Sequence, residues 1–187
     1  MNKITKTEKA QIDLYLSILK NKEPVVLAHV VRVARFSARL AKKLNKDTKA
    51  AWLGGLFHDI GKICLDSSLF DGRDITNKQY EEIKAHAIVG SVILKDLHLF
   101  TSLIAGLHHN MYKNGYGLCI KDLPNISIAT IKKLLDISTI VSVCDFIDAY
   151  KTRTTVLKTG TGILIDLLYS KFPNDVKLVD LAIVAFN

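Results

Sequence analysis

The sequence predicts an all-α fold. Only three prolines, Pro24, Pro124 and Pro173, interrupt 187 residues, and proline is the residue that most disrupts a helix interior. Apolar residues recur three and four positions apart along most of the chain, which is the period of one helix face. No stretch alternates apolar and polar residues convincingly enough to mark a strand. The β-branched runs at 25–27 and 137–143 lie within longer helical patterns and are assigned to helices.

The elements follow in order. Residues 5–20 place Ile12, Tyr15, Leu16 and Leu19 on one amphipathic face, and 21–24 break the helix. The next helix aligns Val26, Val30, Val33, Ser37, Leu40 and Leu44, with His29 beside that stripe and so facing the core or a cleft. Residues 45–47 end it, and Thr48 is expected to cap the third helix. That helix carries Ala50, Trp52, Leu53, Leu56 and Phe57 and runs into His58 and Asp59, with Gly54, Gly55 and Gly61 allowing close backbone approach. Residues 65–75 read as a loop rich in turn formers, Asp66, Ser67, Asp71 and Gly72. Thr76 and Gln79 form a capping box that opens a helix through Tyr80, Ile83, Ala87, Gly90, Ile93 and Leu94, with His86 inside it. A further helix begins near Thr101 and ends at His108, His109 and Asn110. The polar loop 113–117 continues to Pro124. A long helix covers 128 to about 150, with Asp145 and Asp148 in its last turns. Two shorter helices, 162–169 and 175–186, flank the stop at Phe172 and Pro173.

Composition narrows the function classes. A hydrophobic fraction of 49% over this length suits one domain with a sizeable core. The first ten residues are charged and make no secretory signal. A membrane span needs about 20 apolar residues, and no run approaches that. Cys64, Cys119 and Cys144 form no CxxC pair and read as buried thiols in a reducing cytoplasm. The net charge of +8 comes from scattered lysines and reads as a solvated surface, with no motif for nucleic acid.

Five of the six histidines lie near helix ends or on apolar stripes: His29, His58, His86, His108 and His109. His98 is assigned an ordinary structural role. Neighbours on a helix point about 100° apart, so the pairs His58–Asp59 and His108–His109 can serve two cations side by side, or one cation and the groups that support its ligands. An aspartate can bridge two cations through its two oxygens, as a dinuclear site requires. Burying several imidazoles and carboxylates is unfavourable unless a metal or hydrogen bonds compensate. Mixed His/Asp donors suit two divalent ions, iron or manganese first, with zinc, magnesium and nickel as alternatives.

In order, His29, HDIGK at 58–62, His86, HH at 108–109 and Asp145 match the signature of the HD phosphohydrolase superfamily. The segment 75–94, the loop HHNMYKNGYG at 108–117 and VCDFIDAYKTRT at 144–155 resemble the HD-GYP branch. The resemblance covers roughly residues 25–185 and implies a single HD-domain helical bundle with a dinuclear metal site in its core cleft. Residues 1–24 would supply a helix packed on the domain, which spans 25–187. By resemblance, His29, His58, Asp59 and Asp145 hold one metal, and Asp59 bridges to a second that His86, His108 and His109 complete. Asp59 and Lys62 are the implied catalytic residues. Lys62, Tyr116 and Arg153 are the implied substrate contacts, Lys62 pointing at the phosphate. Asp148 either orients a ligand or pairs with Arg153, and a structural role is favoured.

The sequence also departs from the branch. Val25 stands where trinuclear members carry a glutamate, Asn110 replaces the acidic residue after HH, the loop ends Gly-Tyr-Gly, and Thr154 and Thr155 follow Arg153. The implied function is a cytoplasmic phosphodiesterase of a cyclic dinucleotide, cyclic di-GMP, attacking through a hydroxide that bridges the metals. An HD nucleotidase or dinucleotide pyrophosphatase is the alternative, and a catalytically weak nucleotide-binding or interaction module is the third class. The implied partners are a phosphate-ester nucleotide substrate, neither nucleic acid nor membrane, and either a second copy or a signalling protein.

Overall fold

The computed structural model describes residues 5–71, 73–152 and 161–186. Among the described residues there are helices and no strands, as the sequence predicts. The α-helices are α1 (Lys6–Lys22), α2 (Pro24–Lys43), α3 (Thr48–Phe57), α4 (Asn77–Leu94), α5 (Leu99–Leu107), α6 (Ile128–Thr152), α7 (Thr161–Lys171) and α8 (Val176–Phe186). Short 3-10 turns occupy Ile60–Cys64, Ser67–Phe70, His108–Met111 and Ile120–Asp122. None of the described helices is long and apolar enough to cross a membrane.

The α6 helix is the spine of the larger core. Leu134, Ile137, Ile140, Val141, Val143 and Ile147 are all buried among residues of α2, α3, α5, α7 and α8. Its β-branched residues are helical because burial on several sides outweighs their weak local preference for strand. A second apolar cluster lies on the other side of α2 and α3, where Ile12 and Leu19 of α1 pack with Val26, Val30, Leu53, Leu56 and Ile60. Each such side chain contributes roughly 1.5–3 kcal/mol through burial. The two clusters clamp α2 and α3, and hence His29 and His58, from opposite sides.

The glycines mark close approaches. A Cβ on Gly55 would lie 2.8 Å from Ala34 Cα, and one on Gly61 only 2.0 Å from the His86 carbonyl. The second contact draws the Ile60–Cys64 turn against α4.

The boundaries differ from expectation at several points. The break between α1 and α2 narrows to Glu23, because Pro24 starts α2 where its missing N–H costs nothing. Asp47, not Thr48, caps α3, its carboxylate accepting from Ala50 N at 2.9 Å. The α5 helix starts at Leu99 because the ring of His98 caps it, accepting from Thr101 N at 3.2 Å. The capping box of Thr76 and Gln79 is formed. Cys144 is buried, but Cys64 is exposed and Cys119 half-buried, since both lie in or beside surface 3-10 turns. Gly72, Arg153, Thr154 and Thr155 lie outside the described residues.

Candidate metal centre

Four packed segments deliver the polar residues to one place. His29 projects from α2 between the buried positions Val26, Val30 and Val33. The α3 helix ends at Phe57, and the tight turn after it presents His58, Asp59 and Lys62. His86 comes from α4, which Gly61 and Gly90 allow close to that turn. His108 and His109 follow the last turn of α5, and Asp145 and Asp148 face inward from α6.

All seven residues that the family resemblance names as ligands converge. Donor atoms of Asp59, His86, His108 and His109 lie within 4.8 Å of one another, as do those of His29, His58 and Asp59, and those of His58, His108 and Asp145. Asp59 joins the first two groups. Its Oδ1 is 3.1 Å from His86 Nε2, and its Oδ2 is 3.4 Å from His58 Nε2 and 3.5 Å from His29 Nε2. Asp145 Oδ1 is 3.0 Å from His29 Nε2.

The imidazoles share one orientation. The Nδ1 atoms of His58, His86 and His108 each meet the carbonyl three residues back, Gly55, Ile83 and Ala105, at 2.8, 2.5 and 2.7 Å. His29 Nδ1 meets Asp148 Oδ2 at 2.7 Å, and His109 Nδ1 meets the Tyr112 hydroxyl at 3.0 Å. A carbonyl accepts only, so Nδ1 of His58, His86 and His108 carries a proton, and in the neutral ring Nε2 is the atom that presents the lone pair. Nε2 of His86 lies 3.4 Å from that of His108 and 3.2 Å from that of His109. In the neutral rings of His86 and His108, whose Nδ1 atoms are tied to carbonyls, the two Nε2 lone pairs face each other and repel unless a cation lies between them. His58 Nε2 is buried with no hydrogen-bond partner. This donor set fits divalent ions, and the Nδ1 contacts are the kind that fix the tautomer of a ligating histidine.

Charge is unevenly divided. Burial lowers the basicity of His58, yet Asp59 and Asp145 overcome it and push it up to about 10. His29 is raised in the same way, against its burial, by Asp145 and Asp148. At the other end burial prevails and brings His109 down to about 3, and His108 falls well below its ordinary value through burial and the neighbouring imidazoles. Burial opposes ionisation of Asp59, but Lys62 and His58 hold it well below the usual carboxylate range. The carboxylates and the two imidazoles they make more basic, His29 and His58, therefore lie on one side of Asp59, and His108 and His109, made less basic, lie on the other.

Lys62 Nζ sits 2.5 Å from Asp59 Oδ2, buried at the edge of the cluster. Tyr116 stacks on His109, ring centroids 4.4 Å apart. Arg153 lies outside the described residues, so its expected contact is not described. Asp148 takes the first of the two places expected for it, orienting a ligand. It holds His29, and Arg32 grips both its oxygens at 2.7 and 2.9 Å. Arg32 and Tyr112 are absent from the expected set. A single helical turn separates Arg32 from His29, the one local sign that the two could act together.

The family model for the HD domain matches residues 26–151. The chain belongs to the HD domain family. The expected superfamily, the all-α fold class and the metal-dependent phosphohydrolase class stand. Among solved structures, the HD domain of the L. monocytogenes phosphodiesterase PgpH aligns with a TM-score of 0.62 at 17% identity, covering 91% of this chain and 94% of that one. The same HD domain in complex with cyclic-di-AMP aligns with a TM-score of 0.63 at 16% identity, over 91% and 92% of the two chains. At such identities the likeness speaks to the fold. No curated protein matches.

Proposed function

We propose that this HD domain is a metal-dependent phosphodiesterase that opens a cyclic dinucleotide. The observation that carries the reading is the common orientation of the five imidazoles, each with Nδ1 tied back and Nε2 turned toward Asp59 or Asp145 or toward another imidazole. In this reading His29, His58, Asp59 and Asp145 hold one divalent cation. Asp59 reaches the second, which His86, His108 and His109 complete. Iron or manganese suits such mixed donors best. When bound, two such cations act as Lewis acids on a phosphate and lower the pKa of a water toward neutrality.

The chain's own residues do the rest. The Nδ1 contacts of His29, His58, His86 and His108 with groups that only accept leave Nε2 as the atom that donates a lone pair to a cation. Lys62 supplies a positive charge at the rim that offsets the phosphate. The ring of Tyr116 offers a flat face beside His109 against which a base or sugar can rest. The loop that carries Tyr116 is tied to the end of α5 and the turn after it, with Leu118 N donating to the Gly106 carbonyl at 2.8 Å and Tyr116 N to that of His109 at 3.3 Å.

Two observations support a dinucleotide. The loop at 108–117 resembles the HD-GYP loop, for which the implied substrate is cyclic di-GMP. The HD domain of PgpH, whose fold this chain shares, is solved in complex with cyclic-di-AMP. Both purine dinucleotides are therefore the substrates to assay. Purified protein loaded with manganese or ferrous iron is expected to convert one of them to the linear dinucleotide. It is also expected to cleave bis(p-nitrophenyl) phosphate faster than p-nitrophenyl phosphate. Preference for the monoester would point to a nucleotidase instead.

A further inference from the structure

We infer that Tyr80 and Lys84 of α4 extend the metal centre into a second subsite, which takes the phosphate and base of a dinucleotide that are not being cleaved. This inference rests on the phosphodiesterase reading and adds where the far half of the substrate lies. Tyr80 and Lys84 are one helical turn apart, so they share a face of α4. Lys84 Nζ lies 5.0 Å from the Tyr80 ring centroid and 5.7 Å from that of Tyr116. Tyr116 in turn stacks on His109 at 4.4 Å and stands edge-on to His86 at 6.2 Å. A continuous path of contacts thus leads from the metal ligands to Tyr116, then to Lys84, then to Tyr80.

The chemistry of that path suits a nucleotide. An ammonium between aromatic faces is held by their quadrupoles and still presents N–H donors outward. Tyr80 is 43% exposed, and an exposed aromatic ring is a platform on which any base can stack. The partner that Lys84 has now, Glu81 at 2.6 Å, is 68% exposed. An ion pair so open to water is weak, so a phosphate can displace it. Lys84 meets Tyr116, and Tyr116 meets His109, so the ammonium is linked to the ligand set through that ring. The ammonium is therefore set apart from the phosphate under attack and serves a second anionic group, which a mononucleotide lacks.

The loop side of the subsite is fixed. Gly117 has φ +101°, a conformation that side chains rarely adopt, and a Cβ there would lie 2.3 Å from the Gly106 carbonyl. Asn110, where the branch has an acid, donates its amide to the Leu118 carbonyl at 2.7 Å. The eroded loop has thus kept the part that presents Tyr116.

The test compares metal-loaded wild type, Lys84→Gln, Lys84→Arg and Tyr80→Ala on cyclic di-AMP, cyclic di-GMP and bis(p-nitrophenyl) phosphate. The diester has no second nucleotide. For Lys84→Gln the ratio of kcat/KM on the dinucleotide to kcat/KM on the diester should fall about tenfold, the effect of one lost charge-assisted contact. The fall should come mainly from KM. Tyr80→Ala should move the ratio the same way, and Lys84→Arg should restore most of it. An unchanged ratio would overturn the subsite while leaving the phosphodiesterase reading intact. Equal losses on both esters would also overturn it, by tracing the effect to the centre itself. A wild type that cleaves the diester but neither dinucleotide would remove the underlying reading, and the subsite with it.

Discussion

Asp148 Oδ2 lies 2.7 Å from Nδ1 of His29, a contact that spans 119 positions of the chain. It ties the C-terminal part of α6 to α2 at the metal centre. His29 is the one histidine of the cluster whose Nδ1 meets a carboxylate, and Arg32 fixes that carboxylate through both its oxygens.

Asp148→Ala should therefore weaken divalent metal binding by about 10–100-fold, the usual effect of removing the partner that orients a ligating histidine. Arg32→Ala should weaken it less, because Asp148 would still hold the ring. Chelator competition on variants with unchanged far-ultraviolet circular dichroism measures this. Equal affinity in wild type and Asp148→Ala would mean that His29 needs no support.

Metal should also stabilise the fold. The facing Nε2 lone pairs of His86 and His108 repel one another until a cation relieves them. A cation at about 100 times its dissociation constant contributes roughly 2.7 kcal/mol, which is on the order of 5–10 °C in Tm for a chain of this size. Differential scanning calorimetry with and without manganese reads the shift. A Tm indifferent to divalent ions and to chelator would contradict the expectation.

Gly61→Ala should be severely destabilising. Its Cβ would lie 2.0 Å from the His86 carbonyl and 2.6 Å from Gly90 N, both backbone atoms. Relief requires the Ile60–Cys64 turn to move away from α4, separating Asp59 from His86. A loss of roughly 3 kcal/mol or more is expected in urea unfolding. A variant as stable as wild type would show that the turn has room to shift.

Asp47 gives a pH-dependent test away from the metal. Burial raises its pKa, but hydrogen bonds from Ala50 N and Lys133 outweigh that and leave it below its ordinary value. A carboxyl depressed by folding contributes stability that is present above its unfolded pKa and lost as pH falls through the folded one. Asp47→Ala should thus cost about 1 kcal/mol at pH 7, with the gap from wild type closing below about pH 4. Asp47→Asn should keep most of the cap. A gap that persisted unchanged at pH 3 would assign the effect to something other than the ionised cap.

The helices were legible because apolar spacing alone fixes them, even at 137–143, where β-branched residues argue locally for strand. The ends were less so. Asp47 and Thr48 are adjacent and both make good caps, so only the contact with Ala50 N distinguishes them. Histidine is not a common cap, which hid the start of α5 at His98. The imidazoles and carboxylates of the cluster could be read because they occur as an ordered set of short motifs. Arg32 could not, since in a lysine- and arginine-rich sequence its spacing of one helical turn from His29 does not say that its guanidinium reaches a carboxylate on α6. Tyr112 was hidden likewise, because its role depends on how the loop after His109 folds back.

The most direct measurement is anomalous diffraction from crystals of the manganese- or iron-loaded protein, collected at the metal edge. Two peaks are expected, one among His29, His58, Asp59 and Asp145 and one among Asp59, His86, His108 and His109, with Asp59 touching both and Asp59→Ala abolishing them. Well-ordered crystals that show no anomalous peak in this cluster at saturating metal would contradict the account.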